Sequence, residues 1–510
     1  MNKRQVVIVV VVCVFTACLP CRLYGDVYLP NIFGDHMVVQ QQKPVIIWGW
    51  ADAGEKVDVQ LGSRSASVKA DSGGNWKVSL KAMNASSSPV QMAVKAANTI
   101  TVNDILVGEV WLCSGQSNME WGLGGAETGS QEIHQADFPK IRLFKINSRP
   151  NPYPVSNVND NWRVCNPEKV SDFTAVGYFF GKYLYKELNV PVGLVQAAWG
   201  GTRIEPWTPR VGFQGQEALA DIVKRIDGAE VSYRKQLPGK MKEMENWIED
   251  TKRALKNNKR IPATPDWPRH PIYSEGHPTE PTCLYNSRIY PIVPFAMRGA
   301  IWYQGESNMG EAMLYYEKMK ALISGWRNVW NDELMSFYFV QLAPFRHYGI
   351  DELPRIWQAQ TESLKIPNTG MAVISDIGNI EDIHPRNKRD VGKRLALWAL
   401  AKDYGRKDIV FSGPIYKSMK TVGDKIEISF DYVGDGLATR DGKEPDWFEI
   451  AGKDKQFHPA KAQIEGNRIV VSSEKVTSPA AVRFAWDNIA GPNLMNKNGL
   501  PASSFRTDNW

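Results

Sequence analysis

Four polar segments hold the side chains that could do chemistry. Ser117 stands in Trp111-Leu-Cys-Ser-Gly-Gln-Ser-Asn-Met-Glu120, just after the apolar run Ile105 to Leu112. A hydroxyl at the tip of a strand, after a glycine-containing turn, is how a fold presents a serine nucleophile. The local pattern is Gly115-Gln-Ser-Asn118, so the Gly-x-Ser-x-Gly elbow of α/β-hydrolases is not matched. Trp199-Gly-Gly-Thr-Arg-Ile-Glu-Pro-Trp207 brings two adjacent glycines. Without a Cβ, Gly200 and Gly201 let a backbone N–H approach a developing oxyanion. Trp302-Tyr-Gln-Gly-Glu-Ser-Asn308 brings two carboxamides, and Glu381-Asp-Ile-His-Pro385 a histidine beside two carboxylates.

Together these are the parts of acyl transfer: nucleophile, base, orienting carboxylate and oxyanion donors. Ser117 is inert at neutral pH unless a base takes its proton, and His384 is the histidine in a setting for that task. Pro385 suits a first helical position, which would put His384 at a helix entrance on the rim of a sheet. Asp382 and Glu381 compete as acceptor for the second imidazole nitrogen. Gln304 or Asn308 would supply a side-chain oxyanion donor, a contribution worth about 10²–10³ in rate. Glu306 paired with Glu120 or Glu205 admits a two-carboxylate glycosidase, but that leaves Ser117 and His384 without a role.

The elements that must position these groups follow from periodicity. Apolar runs at Ile105 to Leu112, Val190 to Ala198, Gly299 to Tyr303, Met335 to Leu342 and Met371 to Ser375 alternate with helical patterns. Val176, Phe180, Leu184 and Leu188 mark one helix; Val391, Leu395 and Trp398 mark another, with Gly405 as a stop. Continuous apolar strands between helices predict an α/β fold whose parallel sheet is covered by helices on both faces. Four of the five runs end in a polar, glycine-containing or histidine-containing segment, and ligand sites lie beyond the carboxyl ends of such strands.

Around this unit, residues 26–103 read as an N-terminal β-sandwich, from short alternating strands with turn residues about every ten positions. Residues 408–510 read as a second β-rich, sandwich-like domain, and 104–407 as the α/β domain. Within the latter, residues 210–280 interrupt the pattern. Met241, Met244, Trp247 and Ile248 suggest an amphipathic helix, and Pro262, Pro265, Pro268 and Pro271 an irregular loop after it.

Residues 1–25 read as an export signal. Lys3 and Arg4 precede the run Val6 to Leu19, which at about 14 residues is short for a membrane span and suited to a signal-peptide core. Cleavage near Gly25 gives one form of the mature protein, and a lipidated Cys18 another. The expected location is therefore periplasmic, secreted or an outer-membrane lipoprotein. Cys13, Cys18 and Cys21 fall in this segment, leaving Cys113, Cys165 and Cys283, which allow at most one intrachain disulfide. No paired-cysteine zinc spacing is present, and the chemistry calls for no metal and no other cofactor. The net charge of +6 is spread along 510 residues, which does not suggest nucleic acid.

The four blocks resemble those of sialate O-acetylesterases, in the SGNH hydrolase superfamily. The ending, Ala485-Trp-Asp-Asn488 through Pro492-Asn-Leu-Met-Asn-Lys-Asn-Gly-Leu-Pro-Ala502 and Phe505-Arg-Thr-Asp508, is similar too. The resemblance implies an SGNH-type, flavodoxin-like sheet and an esterase removing O-acetyl groups from a sugar, 9-O-acetylated sialic acid by preference. It implies Ser117 as nucleophile, His384 as base, and Gly200 or Gly201 in the oxyanion hole. The superfamily's third block is Gly-x-Asn-Asp, whereas Gly305-Glu-Ser-Asn308 stands here, so the amide role falls to Gln304 or Asn308. The superfamily's Asp lies three residues before the His. That position is Glu381 here, so Asp382, Glu381 or a backbone acceptor would complete the site. Substrate-binding candidates are Gln116, Arg203, Trp199, Trp302 and Glu306. Arg203 would pair with a substrate carboxylate or with Glu205, and Trp121, Trp199 and Trp302 would form a wall for the sugar, with core packing the alternative for any one of them. An acetylxylan or other polysaccharide deacetylase would use the same parts. A non-enzymatic carbohydrate-binding protein is the reading of another class.

Overall fold

The computed structural model describes residues 26–273 and 278–510. The proposed export signal, its cleavage point and Cys18 lie outside the described residues. The protein is a mixed α/β structure with one large mixed sheet, a two-stranded sheet of Val45–Trp50 and Asn75–Leu80 within its span of sequence, and further β-sheets after it.

The large sheet is organised on the strand Thr99–Gly115. Its C-terminal half lies between Val192–Ala198 and Gly299–Tyr303, both parallel to it. Ser336–Val340 and Thr369–Ala372 extend the sheet on one side. Numbered by chain order, these five strands, at the sites of the five apolar runs, stand 2-1-3-4-5. Phe138–Lys145 adds to the other side, and Arg163–Cys165 pairs antiparallel with it. The chain builds one side of Thr99–Gly115 and then the other, so the carboxyl end of that strand is a topological switch point, where α/β sheets bind ligands.

The central strands are apolar without alternation because both faces are covered. On one face Trp111 meets Phe180 of the helix Ala175–Leu188 at 5.1 Å, and Tyr338 stacks on Trp398 of the helix Lys388–Lys402. On the other face Trp302 and Phe337 pack against Trp326 of the helix Leu314–Trp330. The first helix is capped by Thr174, whose hydroxyl accepts from the Gly177 N–H, and it ends on Asn189 in the left-handed region at φ 51°.

The expected boundary at residue 103 falls inside a continuous strand. The first half of Thr99–Gly115 pairs antiparallel with Ser86–Lys95, and its middle runs parallel to Val38–Gln40. Asp104, with φ 51°, lies where the strand passes from the N-terminal sheet towards the central one. Its carboxylate holds the buried Arg142 at 2.6 Å and His36 at 2.6 Å. The buried residues of the N-terminal β unit and of the α/β unit form one continuous core, whereas Ile426, Ile428, Val482 and Phe484 belong to a separate core after residue 415. The insertion is dominated by a 37-residue helix, Ala220–Lys256. The proline-rich stretch returns along it, where the Trp247 indole donates to the Pro262 carbonyl at 2.9 Å. Among the described residues no helix is long and apolar enough to cross a membrane, and Cys113, Cys165 and Cys283 are buried free thiols.

Candidate active site

Strand register brings three of the four polar segments together. Gly115 is the register partner of Ala198 on one side and of Tyr303 on the other. The segments that follow therefore leave the sheet at one level, side by side. Gly115 itself sits at φ 140°, and a Cβ there would stand 2.1 Å from the Tyr303 carbonyl oxygen, so the close strand approach requires glycine. The Gln116 N–H donates to that carbonyl at 3.0 Å, and the chain then turns into the short helix Ser117–Glu120.

The fourth segment arrives from the far edge of the sheet. After Thr369–Ala372 the chain crosses the carboxyl ends of the strands and sets the His384 Nε2 2.9 Å from the Ser117 Oγ. The indole of Trp121 stacks on the imidazole, with centroids 5.1 Å apart and planes at 24°. Burial, and next the Lys388 ammonium, push the imidazole below its ordinary value, while Asp382 pulls the other way. A lowered value keeps the ring neutral and able to accept a proton at neutral pH.

The two carboxylates before His384 part company. Asp382 Oδ1 accepts the His384 backbone N–H at 2.8 Å and lies 3.7 Å from its Nδ1. Glu381 turns to Arg346 at 2.7 Å and to His347 at 4.0 Å. Asp382 is thus the carboxylate facing the imidazole, at a separation too long for a hydrogen bond. The expectation that Pro385 opens the helix is corrected. The helix begins at Lys388, with Asn387 as its cap accepting from the Asp390 N–H at 3.0 Å. A capping side chain satisfies an orphan donor of the first turn, which proline cannot do.

Gly200 packs directly on Ser117. A Cβ at Gly200 would stand 3.2 Å from the Ser117 Cβ and 3.2 Å from a Glu120 oxygen. The Gly200 N–H donates to that same Glu120 carboxylate at 2.6 Å. Gly201 follows at φ 73°, in the left-handed region. The carboxamides of the third block point into the fold. Gln304 Nε2 donates to the Thr202 carbonyl at 3.1 Å and to Asn308 Oδ1 at 2.8 Å, and its Oε1 accepts from Tyr315. Asn308 Nδ2 donates to Glu205 at 3.1 Å and to Glu311 at 2.9 Å. Gln116 is buried, its carboxamide 3.2 Å from both the Thr202 carbonyl and Glu306.

The remaining candidates divide by burial. Arg203 is ion-paired with Glu205 at 3.1 Å and with Glu311, and Lys318 bonds both of those carboxylates at 2.7 Å. Of the two partners weighed for Arg203, the structure thus provides the internal one. Of the two fates weighed for Trp302, sugar wall and core, the structure provides the core: it is buried edge-on between Trp207 and Trp326. Trp199 is half-buried, with the Arg288 guanidinium 4.5 Å over its ring. Glu306 accepts from Asn118 Nδ2 at 2.6 Å.

Two neighbours of the dyad escaped the sequence reading. Asn118 lay in view within the Ser117 block, but nothing in the block says where its amide points. Lys388 stands among Arg386, Asn387 and Arg389, a run that reads as a solvated face. It is instead fully buried, its ammonium donating to Asn118 Oδ1. Among the described residues no group of three or more His, Cys, Asp or Glu is placed to hold a metal ion.

Known proteins share this chain's sequence and shape. The family model for "Carbohydrate esterase, sialic acid-specific acetylesterase" matches residues 107–239 and 282–401, which hold all four segments. A sialate O-acetylesterase of Rattus norvegicus is 29% identical over 499 residues, covering 89% of this chain and 88% of that one. The sialate O-acetylesterase of Mus musculus is 30% identical over 442 residues, covering 78% and 77%. The crystal structure of a carbohydrate acetylesterase from Xanthomonas citri superposes with a TM-score of 0.80 at 36% identity, covering 95% of this chain and all of that one. A serine within reach of a neutral imidazole is consistent with what these proteins are named for. The chain belongs to the sialic acid-specific acetylesterase family of carbohydrate esterases, and it is a carboxylic ester hydrolase that acts on O-acetyl groups.

Proposed function

We propose that the chain hydrolyses O-acetylated sugars through an acetyl-enzyme on Ser117, in an SGNH-type sheet. The observation that carries this is the 2.9 Å contact between His384 Nε2 and Ser117 Oγ. Nε2 takes the hydroxyl proton as Oγ attacks the acetyl carbonyl carbon. The imidazolium returns that proton to the sugar oxygen as the C–O bond breaks, and water then releases acetate by the reverse sequence. Asp382 is assigned to stabilise the imidazolium, since Glu381 faces away. No metal or organic cofactor takes part in these steps.

The oxyanion is assigned to the Ser117 N–H, which opens a helix and so lies ahead of its hydrogen-bond ladder, with the Gly200–Gly201 turn packed beside it, whose Gly200 N–H would first have to leave the Glu120 carboxylate. Gln304 and Asn308 would each have to release an internal hydrogen bond to join them. The geometry therefore supports them as the wall that fixes the Thr202 segment. Gln116 and Glu306 line the base of the site, and Trp121 and Trp199 are the aromatic rings offered to a sugar.

The preferred substrate is 9-O-acetylated sialic acid, supported by the family and by the names of the mammalian relatives. An acetylated polysaccharide is the second reading, favoured by the internal ion pairs of Arg203. The export reading of residues 1–25 is retained, and mass spectrometry of the mature N-terminus tests it. Acetate release from 9-O-acetylated sialic acid and from acetylated xylan, for the wild type and Ser117→Ala, tests the rest. Release lost in the variant supports the mechanism, and the better substrate assigns the sugar. Release that survives removes Ser117 as nucleophile.

A further inference from the structure

The nucleophile and its base come from chain segments 267 residues apart, and the 2.9 Å contact between them is a single hydrogen bond. Something must hold the two segments at that separation. Asn118 is placed to do so. It follows Ser117 in the same helical turn, and its Nδ2 donates to the carbonyl of Ile383, the residue before His384, at 3.0 Å. A side chain adjacent to the nucleophile is thus bonded to the backbone adjacent to the base.

The carboxamide that makes this bond is itself fixed at both ends. Its oxygen accepts from the Lys388 ammonium, and its nitrogen also donates to Glu306 Oε1 at 2.6 Å. A donor on the oxygen and an acceptor on the nitrogen allow one orientation of the amide; burial pushes Lys388 down to about 7 and Glu306 up, so this pattern of donor and acceptor, more than full charge, fixes it. Lys388 is fully buried, on the first turn of the helix that follows His384, and it lies 5.3 Å from the Tyr303 ring and 5.9 Å from the Trp121 ring. Trp121 is the ring stacked on His384. Glu306 belongs to the segment after Gly299–Tyr303. The cluster therefore joins the nucleophile turn, the third block and the histidine loop, three of the four segments.

We propose that Asn118, oriented by Lys388 and Glu306, is a positioning residue that sets the Ser117–His384 distance, the three side chains acting as one strut. This rests on the proposed roles of Ser117 and His384. Asn118→Ala removes the link, and Lys388→Met removes the donor that orients it while keeping much of the side chain's apolar volume. A displacement of about 1 Å between reacting groups costs about 10²-fold in rate, so Asn118→Ala is expected to lower kcat about 10²-fold with KM within twofold. Lys388→Met is expected to lower kcat about tenfold. Because the groups act as a unit, the double variant should be no slower than about twofold below Asn118→Ala.

The experiment measures kcat and KM on 4-nitrophenyl acetate, the rate at which a fluorophosphonate labels Ser117, and the melting temperature, for the wild type, both single variants, the double variant and Ser117→Ala. Slower labelling together with the kcat fall, in variants that melt cooperatively, supports the strut. Multiplicative losses in the double variant, a change confined to KM, or wild-type labelling in Asn118→Ala would overturn it. Should Asn118→Ala fail to fold, Lys388→Met and Asn118→Asp, which places an anion against Glu306, carry the same labelling test. Activity surviving in Ser117→Ala would overturn the nucleophile assignment itself. Loss there with full activity in the strut variants would overturn only this inference.

Discussion

Replacing Asp382 by Asn separates this site from a hydrogen-bonded serine-protease triad. In the proposed mechanism, proton transfer to His384 creates an imidazolium whose nearest carboxylate oxygen, Asp382 Oδ1, is 3.7 Å away. At that separation the effect on the imidazolium is Coulombic. Unit charges at about 4 Å attract by about 1 kcal/mol in water and about 4 kcal/mol at an effective dielectric of about 20. The histidine and aspartate side chains are 28% and 41% exposed, which draws the value towards the lower end. About 1–2 kcal/mol corresponds to a fall in kcat/KM of about 5–30-fold. This is far below the roughly 10⁴-fold loss when a buried, hydrogen-bonded triad Asp becomes Asn. The substitution keeps an oxygen able to accept the His384 N–H, now 2.8 Å from Asp382, so the loop should hold its shape. Glu381→Gln makes the same change of charge beside Arg346 and is expected to alter kcat/KM by less than about twofold. Both variants are to be assayed for acetate release at one pH on the plateau of the rate profile. A 10⁴-fold loss in Asp382→Asn would mean that the carboxylate bonds Nδ1 during the reaction. A larger loss in Glu381→Gln would refute the assignment.

Three further outcomes follow from the same geometry. Attack needs a neutral imidazole, and burial and Lys388 lower the His384 value, so activity should persist below pH 6.5 and fall as the pH drops through the lowered value. An acid limb of kcat/KM centred above 6.5 would contradict this. Arg203→Ala should lower the melting temperature by loosening the cluster with Glu205, Glu311 and Lys318, without a KM change specific to sialic acid; a rise in KM for sialic acid esters alone, at unchanged melting temperature, would restore a carboxylate-binding role. Trp302→Ala, in the core between Trp207 and Trp326, should cost about 3–5 kcal/mol in denaturant unfolding and leave KM unchanged; unaltered stability would place the indole outside the core.

The fold was legible wherever burial is two-sided. Val192–Ala198, Gly299–Tyr303 and Ser336–Val340 are buried at every position, and each reads as a largely apolar run in which Gln196 and Ser336 are the polar residues. Phe138–Lys145 was not legible, because Lys140, Arg142 and Lys145 break its run. Arg142 is nonetheless buried, since Asp104 pairs with it from a distant strand. A charge at a core position is tolerated when its partner comes along, and that partner is invisible in a local window. The same argument applies at residue 103, which lies inside a continuous strand. Turn chemistry marks the strands on both sides of it, but no local signal says that one strand pairs with the N-terminal strands in its first half and with the central ones in its second.

In the site, residue types were legible and directions were not. Ser117, Gly200 and His384 were singled out for the chemistry each could do, and strand register explains why the first two, with the third block, converge. Whether a carboxamide faces substrate or scaffold depends on which acceptors lie within about 3 Å of its two N–H bonds, and those come from other segments. Gln304 and Asn308 looked like donors to the oxyanion, yet their N–H bonds reach Thr202, Asn308, Glu205 and Glu311. Asn118 looked like a turn residue, yet its amide joins the nucleophile turn to the histidine loop. On the proposed reading, the Ser117–His384 distance is held by side chains that need never touch the substrate. Substitutions in that scaffold should act on kcat before KM.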